Sequence, residues 1–245
     1  MTTVQLLALL SEWLGVIAVT MILTLSPRFK SEPVGFVYPR REMIISILLA
    51  GLILILAFSF YSGAISPAVA NPSIPLDTLY QRVFLAGISM LPFLLALAIR
   101  RQPPRSVGWG RQLLLPALQL GLALAILTIF LRGKIYGILN GITSNEAYSL
   151  LACLGLCIAE ESIFRGYLQL RISYWIGQRY GWIVTAALFA IWQIPRFINN
   201  PAALSVNLLL ALAQGLLLGW LMKKSGHVLT PILYRAVSEW IPFIV

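Results

Sequence analysis

The sequence predicts an all-α, polytopic transmembrane helical bundle of about eight spans. Three observations carry this prediction. Of 245 residues, 59% are hydrophobic and 11% are charged. The mean hydropathy is +0.87, far above that of a soluble globule. The apolar residues are gathered into runs of about 20, the length a helix needs to cross a hydrocarbon core. This composition excludes a disordered chain, a collagen-like chain and an ordinary soluble domain. Two cysteines exclude a disulfide scaffold.

The expected spans are residues 4–25, 43–65, 83–99, 112–131, 148–172, 182–199, 202–222 and 226–244. The first lacks a basic start, since no Lys or Arg precedes Arg28, so it reads as a span rather than a signal peptide. Ser26-Pro27 ends it. Ser66-Pro67 and Asn71-Pro72 fill the next loop, and Pro103-Pro104 marks the one after the third span. Gly133 and Gly137 loosen the loop after the fourth, and Asn199-Asn200-Pro201 turns the chain after the sixth. The whole of 1–245 reads as a single membrane domain without internal repeat, with N-terminal spans in 1–147 and a motif-bearing core in 148–245.

The net charge of +10 fits basic loops better than a nucleic-acid partner, because no basic stretch is long enough to track a backbone. Arg28, Lys30, Arg40, Arg41, Arg100, Arg101, Arg105, Arg111, Arg171, Arg179, Lys223 and Lys224 fall in loops of one side. Only Arg82, Arg132, Lys134 and Arg196 fall on the other. The expectation is an integral protein of a bacterial plasma membrane with the basic loops in the cytoplasm and both termini outside. Loops 28–41 and 100–111 would meet anionic lipid head groups.

Ionisable groups inside spans are costly unless paired or wet, so they point to function. The fifth span carries Glu160, Glu161 and Arg165. Glu161 and Arg165 are four residues apart and share a face. Two carboxylates against one guanidinium leave a surplus negative charge that suits a general base for water. A helix-packing brace is the plainer reading. The sixth span carries Gln193 in an apolar run, and the eighth carries Arg235 and Glu239 on one face. At 1.5 Å per residue these groups lie about 13–20 Å into their helices, so they can converge on one near-neutral polar cavity.

Cys153 and Cys157 continue the face that reaches Glu161, a spacing that could hold zinc but reads as small packing residues. His227, the single histidine, reads as a solvated helix-end residue. No metal and no cofactor is expected. Trp109, Trp175, Trp182 and Trp240 fall near span ends, as interfacial anchors do.

Glu160-Glu161-Ser162-Ile163-Phe164-Arg165-Gly166-Tyr167-Leu168 resembles the first motif, Glu-Glu-x-x-x-Arg, of the CPBP family, the CAAX prenyl protease type II-like and abortive-infection-type integral membrane proteins. Phe189 matches the start of the second motif, Phe-x-x-x-His. Gly215-Leu-Leu-Leu-Gly219 resembles the family's small-residue helix. Lys224-Ser225-Gly226 and Thr230-Pro231-Ile232-Leu233 lead into the third motif, His-x-x-x-Asn. The resemblance implies an intramembrane endopeptidase. In that chemistry the first glutamate and the motif-two His activate water, and the motif-three His and Asn hold the oxyanion. It also implies a prenylated CAAX peptide as substrate, or bacteriocin processing and self-immunity in bacteria.

Here Gln193, Arg235 and Glu239 occupy the positions of the second-motif His, the third-motif His and the Asn. Gln does not exchange a proton near neutral pH. Glu239 would repel an oxyanion, and Arg235 would hold Glu160 or Glu161 as an acceptor-only carboxylate. The leading expectation is therefore an impaired or inactive homologue that binds a membrane segment, a lipidated or hydrophobic peptide, or a partner transmembrane helix. The alternatives are an active endopeptidase, with Glu160 activating water and Arg235 holding the oxyanion, and a transporter-associated subunit.

Overall fold

A computed structural model describes residues 3–29, 35–63, 75–197 and 201–244. The helices are α1 (Thr3–Leu23), α2 (Pro39–Tyr61), α3 (Pro75–Ile99), α4 (Leu114–Leu131), α5 (Ile135–Leu139), α6 (Ser144–Glu161), α7 (Leu170–Ile176), α8 (Gln178–Phe197), α9 (Pro201–Ser225) and α10 (Leu229–Trp240). A π-helical stretch, Ser162–Gln169, joins α6 to α7 without a break. Among the described residues there is no strand. Each expected span finds its helix. Six of these rods are long and apolar enough to cross a membrane by length and composition. The other two, α8 and α10, carry Gln193, Arg235 and Glu239 and are the more amphipathic members.

The surface is inverted relative to a soluble protein. Leu14, Ile22, Leu48, Ile55, Leu95 and Ile126 lie exposed on the outer faces, while Glu12, Glu42, Glu160, Glu161, Arg165, Arg171 and Arg235 are buried. This fits an integral membrane protein, in which lipid solvates the apolar faces and polar groups face inward.

Local chemistry sets the helix starts. Pro39 and Pro75 stand first in α2 and α3, where a missing N–H costs nothing. Thr143 and Glu146 form a reciprocal cap on α6: Glu146 Oε2 accepts from the Thr143 N–H at 2.7 Å, and Thr143 Oγ1 accepts from the Glu146 N–H at 3.3 Å. Gly177, at φ 90°, separates α7 from α8.

Several helices begin earlier than expected, because charged first turns belong to the helix rather than to the loop. Residues 75–82, expected in a loop, are the first two turns of α3. Arg171, expected in a loop, is wholly buried at the start of α7. The loop after α4 contains the short helix α5, which includes Gly137. Lys30, the Ser66-Pro67 and Asn71-Pro72 turns, and Asn199-Asn200 lie outside the described residues.

The packing order positions the site. Helix α10 lies against α4 and α6, α3 against α6, and α8 against α9 and α7. Small residues permit the closest approaches. A Cβ on Gly166 would lie 2.4 Å from the Val107 carbonyl oxygen, and one on Gly219 would lie 2.6 Å from the Trp182 ring. Two polar clamps secure the periphery. Glu12 of α1 accepts from Arg132 (2.6 Å), Tyr234 (2.7 Å) and Ser238 (2.8 Å), tying α1 to α4 and α10. Glu42 of α2 accepts from Arg100, Gln102 and Arg171, and the Arg171 guanidinium lies 3.6 Å from the Tyr167 ring centroid.

Candidate functional site

Helices α6, α8 and α10 and the π-stretch bring the expected polar residues together. Arg235 is the hub. Its Nη1 donates to Glu161 Oε1 at 2.7 Å and its Nη2 to Glu160 Oε2 at 2.5 Å. Nη2 and Nε also reach Glu239 Oε1, at 3.1 and 3.3 Å. One guanidinium therefore engages all three carboxylates. Arg165 pairs with Glu161 through Nε at 3.1 Å and donates from Nη2 to the Gly215 carbonyl at 3.3 Å. The π-stretch explains how Arg165 reaches both: its wider turn carries the side chain between Glu161 and the backbone of α9.

Phe189, the aromatic residue of the second motif, lies between the two cations. Its ring centroid is 4.4 Å from the Arg165 guanidinium carbon and 4.9 Å from that of Arg235. Each cation then faces aromatic density instead of the other cation. Trp192 donates from its indole N–H to Glu160 Oε1 at 3.4 Å.

Arg82, counted in the sequence as a loop charge, is a member of this cluster. It binds Glu239 in a fork, Nη1 to Oε2 at 2.7 Å and Nη2 to Oε1 at 3.1 Å. Glu239 is thus held by two guanidinium groups from different helices. With Arg82 added, three carboxylates face three guanidinium groups and the buried network is neutral. Arg196 adds a further cation at the edge of the cavity.

Gln193 is half-buried and lines the cavity and a smaller space shared with Glu160, with no hydrogen bond between the two side chains. The cavity has a volume of about 180 Å³, and its polar lining includes Arg82, Gln193, Arg196, Gln214, Arg235 and Glu239. Glu160 lines a much smaller adjoining space of about 10 Å³ beside Trp192 and Gln193. Glu239, with 18% of its side chain exposed, is the carboxylate that faces the cavity, while Arg235 and Glu160 lie deeper at 1% and 4%.

Cys153 and Cys157 are buried free thiols. No group of three or more His, Cys, Asp or Glu suited to a metal occurs among the described residues. Two expectations are corrected. His227 is not solvated: it is 1% exposed, its Nδ1 accepts from the Leu229 N–H at 3.0 Å, and its ring stands edge-on to Trp109. Burial lowers its pKa below the ordinary imidazole value. Trp240 is buried rather than interfacial, because its indole N–H caps the Glu146 carbonyl at 2.7 Å. Trp175 is exposed as an anchor should be.

Residues 142–241 match the family model described as type II CAAX prenyl endopeptidase Rce1-like. All six site residues expected from the motifs lie inside that segment, and Arg82 lies outside it. No curated protein and no solved structure matches the chain.

Proposed function

We propose, from the membership of residues 142–241 in the type II CAAX prenyl endopeptidase Rce1-like family, that this chain is a catalytically impaired CAAX-protease-like membrane protein. It has kept the family's helical cradle and uses it to bind a hydrophobic or lipidated peptide, or a partner transmembrane helix.

The observation that carries this reading is the engagement of Glu160, Glu161 and Glu239 by the single guanidinium of Arg235. A general base must have a lone pair directed at water in a reachable position. Here Oε2 of the buried Glu160 accepts from Arg235, and Oε1 accepts from the Trp192 indole N–H. An oxyanion site needs donors that await charge. The donors of Arg235 are already spent on carboxylates, and Glu239 adds negative charge where the oxyanion would form. Gln193 supplies no proton-exchanging group beside Glu160.

The active reading has one supporting observation: Arg235 is among the residues that line the cavity. Cleavage of a quenched prenylated CAAX-type peptide, with a membrane-peptide library and an active family member alongside, separates the two. The expected result is no turnover by this chain but retention of peptide on the immobilised protein. Turnover that disappears in Glu160→Gln would overturn the impaired reading and assign Arg235 to the oxyanion.

A further inference from the structure

The cavity beside the carboxylate network holds one cation that the network does not use. Within the network, Glu160, Glu161 and Glu239 are matched by Arg82, Arg165 and Arg235. Arg196, in the last turn of α8, stands outside it. Both oxygens of Glu239 are already engaged by Arg82 and Arg235. Among the described residues, no carboxylate comes within ion-pair distance of Arg196 and no acceptor takes its N–H groups. Its guanidinium carbon lies 5.1 Å from the Phe197 ring centroid. Arg196 lines both the cavity and the smaller space beside Glu160.

Gln193 of α8 and Gln214 of α9 line the same cavity. Both are half-buried, and neither amide side chain makes a hydrogen bond among the described residues. A polar group withdrawn from water is costly unless a partner meets it. A surplus guanidinium and two unpartnered amides in one cavity form the donor set of a carboxylate site. The guanidinium fork takes a planar anion, and each amide has N–H groups to donate. A single negative charge cancels the excess that Arg196 brings. A second would be repelled by Glu239, which lines the same space.

Much of the remaining lining is apolar. Leu9 and Trp13 of α1 and Leu210 and Ala211 of α9 contribute to it. On the same two helices Leu6, Leu10, Val206 and Leu209 are exposed, as lipid-facing residues are. At about 30 Å³ for each water-sized group, the cavity of about 180 Å³ admits a carboxylate and its first few carbons. A longer chain then has apolar side chains of α1 and α9 beside it.

We infer that this cavity binds a carboxylate carried on an apolar chain, with Arg196 as its cation and Gln193 and Gln214 as hydrogen-bond donors. The inference rests on the proposed reading of the cavity as the seat of a guest, and it gives that guest its chemistry. The carboxylate has two sources in a membrane, the C-terminus of a hydrophobic peptide and a fatty acid.

Full-length protein in a neutral detergent tests this inference by native mass spectrometry. The four probes are dodecanoate, dodecanamide, N-acetylated tetraleucine and the same peptide amidated at its C-terminus. At least one acid should bind about tenfold or more tightly than its amide, and the pair that shows the preference identifies the source. In Arg196→Gln the ratio should fall to about threefold or less. Arg196→Lys, which keeps the charge and loses the fork, should lie between the two. Arg196 is exposed and holds no ion pair among the described residues, so both variants should unfold at the wild-type midpoint. Gln214→Leu should lower the ratio by about threefold, by loss of one donor. Equal binding of acid and amide in both pairs, or a preference that survives Arg196→Gln, overturns the inference. Displacement of the bound acid by equimolar acetate would overturn the apolar-chain assignment. Turnover of a CAAX-type peptide would refute the impaired reading without changing these ratios. An acid preference confined to dodecanoate would refute the peptide guest while upholding the carboxylate site.

Discussion

Replacing Arg235 with Met isolates the central feature of the cluster. Glu239 keeps both of its bonds to Arg82, and Glu161 keeps Arg165 at 3.1 Å. Glu160 keeps only the Trp192 indole N–H at 3.4 Å. The variant therefore leaves one buried carboxylate without a cation, and loss of one partner of a buried ion pair costs about 3–5 kcal/mol. Adding Glu160→Gln removes the orphaned charge, so the double variant should recover part of that loss, with a coupling energy of about 1–3 kcal/mol. Adding Glu239→Gln to Arg235→Met should recover nothing, because it leaves Arg82 unpaired. Equilibrium unfolding in mixed micelles, read by tryptophan fluorescence, measures wild type, these three variants and Glu160→Gln alone, which closes the cycle. A loss below about 1 kcal/mol for Arg235→Met, in the range of exposed pairs, would refute the reasoning. So would rescue by Glu239→Gln rather than by Glu160→Gln.

Three further expectations follow from the same geometry. Restoring the motif asparagine alone, Glu239→Asn, should destabilise by about 3–5 kcal/mol because Arg82 loses the carboxylate it forks to, and adding Arg82→Gln should return most of it; an unperturbed single variant would argue against the fork seen between Arg82 and Glu239. Gly166→Ala should cost about 1–3 kcal/mol, since the added methyl meets the Val107 carbonyl and the backbone must shift; a neutral outcome in the same unfolding assay would mean that the 104–107 turn is not seated on the π-stretch. Burial lowers the His227 pKa, so between the folded value and about 6.5 the unfolded chain binds more protons than the folded one. Stability from neutral His227 is then fully present above about pH 6.5 and declines as the pH falls below it. Midpoints measured from pH 8 to 5 should show a steeper acid-side decline in wild type than in His227→Gln, and parallel curves would sink this assignment.

The sequence made much of the site legible because the bilayer enforces simple rules. A Glu or Arg within an apolar run has to find a partner, and equal depth along α6, α8 and α10 limits the candidates to one another. That logic found Glu160, Glu161, Arg165, Arg235 and Glu239, and the spacing of the runs found every long helix. What it missed lay at helix ends. Arg82 was assigned to a loop because a charge normally closes a hydrophobic run, yet α3 starts at Pro75 and carries Arg82 inward. Its partner stands 157 residues away, and a single sequence holds no signal for such a pair. Arg171, His227 and Trp240 failed for the same reason: burial by neighbours is a tertiary property. The π-stretch was invisible because Ser162–Gln169 has no residue pattern that distinguishes a wide turn from an ordinary one.

The continuous rod from Ser144 to Ile176 is fastened at two heights. Glu161 and Arg165 hold it near its middle, and Arg171 locks its far end to α2 through Glu42. A slide of one residue along its axis would shift each charge by about 1.5 Å and turn it by about 100°, breaking both fastenings together. The rod is therefore the stator of the molecule. A guest in the cavity would meet the charges held by that rod across from Leu9 and Trp13 of α1 and Leu210 and Gln214 of α9, which line the same space.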